Sequence, residues 1–431
     1  MVSSPWRPRV RRRRRPALAR RPPQALTSRR WEHATYRGAA GSRSYAVYTP
    51  PGLNPLAPVP VWVMLHGCSQ DAADIAAGTR LDALADRAGF VAVYPEQTAA
   101  HNRRGCWNWF IPLHQGRGTG EPAIIAGITR EVLDGRSTAL VTARTTPTLD
   151  RSRVYVTGIS AGAAMAAILG ATYPDLYAAV GIHSGSQYGA ARNLPSAMVA
   201  MATGGPDPDR QGRLAHAAMG AHSRVVPVVV VQGDRDRTVR ARSGEQTVRQ
   251  WLATNRLASG RETGWDFSQP DARRLEHPPG GRSATVQSWF DPTNPSGPPV
   301  VEYWLVSGLG HAWSGGAPDG SFTDPLGPDA TAVMHRFLSQ HRLGAPVRPG
   351  RALARRAPAA VRRVPAAVRR VPAAVRRVPA AVRRAPAAVF SRGGLLARVI
   401  GALLHPVRTA RSVRAAIQPA RRPRRPPRIR R

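Results

Sequence analysis

Short, uninterrupted runs of apolar residues recur between residue 43 and residue 306. Two of them, Val61-Trp62-Val63-Met64-Leu65 and Val228-Val229-Val230-Val231, contain no polar position at all. A strand of a parallel sheet that is covered by helices on both faces has this pattern, whereas a half-exposed strand alternates. These and similar β-branched runs predict strands at 43–49, 60–65, 90–94, 153–157, 178–183, 226–232 and 300–306.

The segments between these runs carry apolar residues at helical spacing. They predict helices at 71–88, 121–134, 161–173, 242–254 and 329–342. The order is largely strand followed by helix. This alternation predicts an α/β fold with a mostly parallel central sheet flanked by helices, similar to the arrangement in α/β hydrolases.

Charge divides the chain into three parts. The 431 residues carry a net charge of +38, and every basic residue is an arginine. Residues 1–30 contain 11 arginines and residues 343–431 contain 24, with no acidic residue in either segment. The middle, residues 31–342, is nearly neutral and holds both cysteines. We therefore expect one α/β domain at 31–342 between two basic, disordered extensions.

The C-terminal extension contains a seven-residue repeat, V-P-A-A-V-R-R or a close variant, with prolines at 358, 365, 372, 379 and 386. A proline in every second turn excludes a coiled coil. The charge of residues 343–431 favours binding to an anionic polymer or, through the apolar residues at 395–404, to a membrane surface. The segment contains no motif that reads bases, so specific nucleic-acid recognition is not expected. A low-complexity extension without a specific partner is the alternative.

The first 30 residues lack the uninterrupted apolar segment of a secretory signal, and no stretch of the chain is long and apolar enough to span a membrane. Export is therefore not visible in the sequence itself.

The segment Gly158-Ile159-Ser160-Ala161-Gly162 follows a predicted strand and precedes a stretch of small residues with helical character. A strand that ends in G-x-S-x-G and turns at once into a helix is typical of a nucleophile elbow, in which a strained turn exposes the serine hydroxyl. Ser160 is therefore the candidate nucleophile.

An activated serine needs a histidine base and a carboxylate that orients it, and in this fold both follow the serine along the chain. Asp236 lies in the loop after the strand at 226–232, and we favour it over Asp234, which is better placed to brace the turn. His311 follows the last predicted strand and is the candidate base. His183 and His335, which lie at a strand end and within the final helix, fit less well.

The oxyanion hole should combine the amide after the nucleophile with an amide from the loop after an early strand. Ala161 and Cys68 are the candidate donors. Cys68 and Cys106 lie on loops at the same end of the predicted sheet, and a disulfide is the simplest interpretation, with two reduced thiols as the alternative. No metal or other cofactor is expected, because two thiols without suitably spaced histidines do not make a zinc site.

Several separated segments together resemble the polyhydroxybutyrate depolymerase family of esterases. They are H-G-C-S-Q at 66–70, C-W-N-W-F at 106–110, G-I-S-A-G at 158–162, G-D-R-D-R-T-V at 233–239 and G-H-A-W-S-G-G at 310–316. The resemblance implies a secreted serine esterase with Ser160, His311 and Asp236 as its triad. It implies short-chain poly(3-hydroxyalkanoates) or related esters as substrates, and the chain is also similar to feruloyl and acetylxylan esterases. With the expected disulfide, it implies an extracellular location.

Tryptophans flank the candidate catalytic loops. Trp107, Trp109 and Trp313 would suit an apolar wall beside the serine, with core packing as the alternative, and Asn108 would orient its loop or bind a substrate carbonyl. A hypothesis of a different class is that the basic tail binds polyanions or the cell envelope and that the hydrolase domain is only a scaffold.

Overall fold

The computed structural model describes residues 31–54, 57–141, 147–261 and 264–344. These residues all belong to one compact unit. Residues 1–30 and 345–431, on which the expected basic extensions fall, lie outside the described residues.

The described residues form a large twisted sheet of ten strands. Its strands follow the order β1-β2-β4-β3-β5-β6-β7-β10-β9-β8. The six central strands are parallel to one another; they are β4, β3, β5, β6, β7 and β10. The two outer strands at each end pair antiparallel with the strands beside them. The strands are β1 (Trp31–Gly38), β2 (Gly41–Tyr48), β3 (Val59–Leu65), β4 (Val91–Pro95), β5 (Leu149–Ile159), β6 (Ala179–His183), β7 (Val228–Gly233), β8 (Ala272–Glu276), β9 (Ala284–Trp289) and β10 (Val301–Val306).

Helices connect the parallel strands. They are α1 (Ala72–Thr79), α2 (Leu81–Ala88), α3 (Gly120–Leu133), α4 (Thr138–Val141), α5 (Ala161–Thr172), α6 (Leu194–Thr203), α7 (Pro208–Met219), α8 (Ala241–Ala258) and α9 (Ala330–Leu338). A small parallel pair follows β10 and consists of β11 (Trp313–Ser314) and β12 (Thr323–Asp324). In the described ranges, no helix is long and apolar enough to cross a membrane.

The core lies in two layers, one on each face of the sheet. Helices α3, α5 and α8 pack on one face, and α1, α2 and α9 pack on the other. All twelve residues of α5 are buried. Eight of the twelve are alanines or glycines, so the backbone of α5 approaches the sheet closely. The predicted α/β class and its mostly parallel sheet are thus confirmed.

Each predicted strand and helix has a counterpart, but one helix differs. The segment predicted as a single helix at 71–88 is broken at Arg80, which has a left-handed backbone with a φ of 54°. The Arg80 side chain donates to the Gly315 carbonyl oxygen at 3.3 Å, and the hydroxyl of Thr331 donates to the Thr79 carbonyl oxygen at 2.7 Å. Contacts with a distant part of the chain therefore accompany a break that the local apolar pattern did not predict.

Candidate active site

Ser160 lies between the end of β5 and the first residue of α5, on a backbone with φ 57° and ψ −120°. A non-glycine residue rarely adopts a positive φ, and such strain is concentrated at functional turns. The amide of Ser160 donates to the His183 carbonyl oxygen at 2.9 Å, which ties the turn to β6. The turn therefore has the expected form of a nucleophile elbow.

Glycines on both sides allow this turn to pack. A Cβ atom on Gly158 would lie under 3.0 Å from the Gly162 backbone, and a Cβ atom on Gly162 would lie under 3.0 Å from the Leu65 carbonyl oxygen. The close approach of α5 to β3 therefore excludes any side chain at these two positions. Backbone packing, more than side-chain contacts, positions Ser160.

The structure brings together the three residues predicted as a triad. His311 Nδ1 lies 2.8 Å from Asp236 Oδ2, and His311 Nε2 lies 3.0 Å from Ser160 Oγ. An ionised carboxylate can only accept, so the proton belongs on Nδ1, which leaves Nε2 free to accept from the serine hydroxyl. The three side chains form one continuous chain of hydrogen bonds.

Asp236 is buried and accepts further hydrogen bonds through its second oxygen. The amides of Thr238 and Val239 donate to Oδ1 at 2.9 and 2.8 Å. Burial alone would raise the pKa of Asp236, but the hydrogen bond and charge of His311 and the two amides outweigh it and hold the pKa below its ordinary value. Asp236 therefore remains ionised at neutral pH. Asp234 accepts from the Gly308 amide at 2.7 Å and braces the turn instead.

His183 lies beneath the elbow and supports the histidine loop. Its ring is fully buried and stacks on Trp313 with 4.9 Å between ring centroids. Nε2 accepts from the Ser314 amide at 3.1 Å. Burial and the neighbouring His311 lower the pKa of His183 to about 3, so this ring is neutral. His335 lies elsewhere, stacked on Trp62 in the layer of α9.

The amides expected to form the oxyanion hole differ from their neighbours in hydrogen bonding. In the segment after β3, the amides of Gly67, Ser69 and Gln70 all donate to protein acceptors. The Cys68 amide between them, and the Ala161 amide after the serine, have no hydrogen-bond partner among the described residues. These are the two donors that the sequence predicts.

Residues that the sequence did not single out hold the Cys68 segment. The buried His66 donates from Nδ1 to the Gly67 carbonyl oxygen at 2.7 Å and accepts at Nε2 from the Gln97 amide at 3.0 Å. Burial lowers the pKa of His66, so the ring stays neutral and can donate from one nitrogen while it accepts at the other.

Cys68 is also joined to Cys106 by a disulfide, as the simpler interpretation predicted. Among the residues that the structure describes, no cluster of His, Cys, Asp and Glu could hold a metal ion.

A buried carboxylate fixes the loop that carries Cys106. Glu121 Oε2 accepts from the Asn108 amide at 2.6 Å, and Oε1 accepts from the Asn108 side chain at 2.7 Å. Glu121 Oε1 also accepts from Gln97 at 2.5 Å and pairs with Arg43 at 3.2 Å. These contacts favour the loop-orienting role, one of the two roles expected for Asn108. The sequence analysis did not identify Glu121 as its partner.

The three tryptophans lie mainly in the core. Trp107 is fully buried, and Trp313 is 1% exposed with its Nε1 donating to Thr331 Oγ1 at 3.0 Å. Trp109 is 6% exposed and contacts Phe110 edge to face. In this structure, the expected apolar wall beside the serine contains neither Trp107 nor Trp313, because both rings fill space under the catalytic loops.

The chain is similar in sequence and in fold to known esterases. Poly(3-hydroxyalkanoate) depolymerase C of Paucimonas lemoignei is 31% identical over 254 residues, which are 58% of this chain and 54% of the depolymerase. Feruloyl esterase B of Thermothelomyces thermophilus is 34% identical over 139 residues, 32% of this chain and 43% of that esterase. The chain thus spans about half the length of these curated relatives.

A solved acetyl xylan esterase from Aspergillus awamori has a similar fold, with a TM-score of 0.55 and 20% sequence identity over 72% of this chain and 99% of that one. The family pattern described as esterase PHB depolymerase matches residues 43–264, more than half of the chain. This range contains the elbow, the Cys68 segment and Asp236, and the resemblance seen in the separate motifs is confirmed: the chain belongs to the esterase PHB depolymerase family.

Proposed function

We propose that this protein is a serine carboxylic ester hydrolase that acts through Ser160, His311 and Asp236. The observation that carries the proposal is the unbroken chain of hydrogen bonds from Asp236 through His311 to Ser160 Oγ, on a strained turn next to two unpaired amides. Family membership and the names of the relatives support the same reaction class.

In the first half of the proposed reaction, His311 Nε2 takes the proton of Ser160 as Oγ attacks the ester carbonyl carbon. The amides of Cys68 and Ala161 donate to the oxygen that becomes negative, and Asp236 stabilises the imidazolium. The carbon–oxygen bond to the alcohol then breaks, and His311 returns its proton to the departing alcohol. The acyl group remains on Ser160.

In the second half, water replaces the alcohol. His311 removes a proton from the water, whose oxygen attacks the acyl carbon, and the same amides stabilise the second oxyanion. Collapse of this intermediate releases the carboxylic acid and returns the proton to Ser160. The cycle consumes one water for each ester bond and needs no cofactor.

For the substrate, we propose a short-chain poly(3-hydroxyalkanoate) or a related small ester. The name of the Paucimonas relative supports this choice. Feruloyl or acetylated xylan esters are the second candidate, supported by the names of the other relatives. The disulfide supports an extracellular location, because disulfides persist in oxidising compartments.

The test compares the full chain with its Ser160→Ala variant on p-nitrophenyl esters of increasing acyl length, on a feruloyl ester and on poly(3-hydroxybutyrate) films. We expect turnover that falls by at least about 10⁴-fold in Ser160→Ala, because the nucleophile is lost. Ser268→Ala, which removes an exposed hydroxyl elsewhere, is the matched control. Equal turnover in wild type and Ser160→Ala would refute the proposal, and the preferred ester would identify the substrate class.

We further propose that residues 343–431 bind anionic polymers or membrane surfaces through their arginines. The test measures cosedimentation with anionic and with neutral lipid vesicles, and retention on an anionic polymer matrix, for the full chain and for a chain ending at residue 344. We expect binding that weakens with salt and disappears in the shorter chain, whereas soluble-ester turnover persists. Tail-dependent binding by a full chain that shows no serine-dependent turnover would favour the scaffold hypothesis instead.

A further inference from the structure

Phe322 lies against the candidate base. His311 is two residues before Trp313 in β11, Phe322 is one residue before Thr323 in β12, and Trp313 pairs with Thr323. The Trp313 amide donates to the Phe322 carbonyl oxygen at 2.6 Å. The small strand pair therefore holds Phe322 beside His311, with 6.4 Å between ring centroids and the rings edge to face.

The conformation of Phe322 is unusual for a bulky residue. Its φ is +52°, in the left-handed region, and its side chain is 40% exposed. The ring is thus only partly buried, and the exposed part lies beside the candidate base. Backbone strain at a bulky exposed residue next to reacting groups is more typical of a binding role than of a packing role.

Hydrogen bonds fix this residue to the oxyanion segment. The Ser321 amide donates to Asp74 Oδ1 at 2.8 Å, and the Ser321 hydroxyl also donates to Asp74. Gln70 Nε2 donates to the Ser321 carbonyl oxygen at 3.1 Å, while its Oε1 accepts from the Gly67 amide at 2.9 Å. Gln70 thus joins the loop that presents Phe322 to the loop that presents the Cys68 amide.

We propose that Phe322 is a specificity-determining residue that contacts the alcohol portion of the ester. This inference rests on the proposed function. His311 Nε2 must deliver its proton to the leaving alcohol oxygen, so the alcohol lies beside the imidazole, while the two amides hold the carbonyl oxygen on another side. An aromatic ring packed against that imidazole borders the space that the alcohol occupies, and it favours an apolar or aromatic group there.

The experiment compares wild type with Phe322→Ala and Phe322→Asn on two ester series. One series keeps the acetyl group and varies the alcohol from methyl to butyl, benzyl and naphthyl, and the other keeps p-nitrophenol and varies the acyl chain. We expect kcat/KM for the benzyl and naphthyl esters to fall about 5- to 20-fold relative to the methyl ester, with the acyl-chain preference unchanged. Asn tolerates a left-handed backbone, so agreement between the two variants assigns the effect to the lost ring.

Leu326→Ala removes an exposed apolar side chain from the same loop and is the matched control, expected to leave both profiles as in wild type. The pH dependence of kcat/KM separates selectivity from a disturbed His311, because a structural role would shift it and would lower every ester equally. Uniform loss, a changed acyl preference or no change would each overturn the proposal. Serine-dependent turnover by wild type in the same assay tests the proposed function separately.

Discussion

The two sides of the candidate site are built differently. Ser160 is placed by the backbone: a buried helix, two glycines and a central strand leave no room for another arrangement. His311 is placed by hydrogen bonds from side chains and by a pair of two-residue strands, and its neighbour Phe322 is exposed. The nucleophile side therefore tolerates little change, whereas the histidine side can vary in shape and selectivity at a smaller energetic cost.

The largest expected effect comes from the carboxylate on the histidine side. Asp236→Asn should lower kcat by about 10⁴-fold, because an amide does not stabilise the imidazolium and favours the wrong histidine tautomer. Asp234→Asn, two residues away, should change kcat less than about 10-fold, since Asp234 only accepts from the Gly308 amide. Steady-state kinetics on p-nitrophenyl acetate checks both, and similar losses in the two variants would reverse the assignment.

The next largest effect is on the free energy of unfolding, and it should differ between one glycine on each side of the site. Gly162→Ala should destabilise the protein by about 3 kcal/mol or more, because the new methyl group meets backbone that cannot move away. Gly310→Ala, beside His311, places its methyl group in open space and should cost less than about 1 kcal/mol. Urea unfolding followed by tryptophan fluorescence measures both, and equal costs would contradict the contrast between the two sides.

A smaller effect concerns acid stability and His183. Its pKa is about 3 in the folded chain against an ordinary value of 6.5, so below pH 6.5 the unfolded chain binds a proton that the folded chain does not. The free energy of unfolding should therefore decrease as the pH falls from 6.5 toward 3, by up to about 1.4 kcal/mol for each pH unit from this group. Asp236 has a lowered pKa, so it also decreases the free energy of unfolding as the pH falls. It does so only at pH values below the ordinary pKa of an aspartate.

His183→Gln should flatten this dependence between pH 6.5 and pH 5, as measured by urea unfolding at several pH values. His277→Gln, which changes an exposed ring, is the control and should follow the wild-type curve. A dependence in His183→Gln as steep as in wild type would show that His183 does not contribute to it.

Much of the fold was predictable because the central strands are continuous apolar runs and the helices between them are periodic. The outer elements were not predicted. Strand β1 is a largely exposed edge strand, so it lacks the apolar signal of the central strands. Helices α6 and α7 each have a proline near the first turn and carry exposed apolar or charged residues. Their positions depend on packing against the finished sheet.

The reactive atoms of the site were predictable and their supports were not. Ser160, His311 and Asp236 follow a chain order that the fold imposes, and the Cys68 and Ala161 amides follow from it. Gln70 contacts Ser321 across 251 positions, and Phe322 acquires its place only through the pairing of β11 with β12. Contacts over such distances have no local pattern, so these roles appear only once the chain is folded.

The burial of α5 has a consequence for how the proposed reaction responds to solvent. The helix begins at Ala161, directly after the nucleophile, so its peptide dipoles place about half a positive charge at the point where negative charge develops. Because no residue of α5 is exposed, counterions have little access to that field. Acyl transfer should then be nearly indifferent to ionic strength, unlike the salt-dependent binding proposed for residues 343–431.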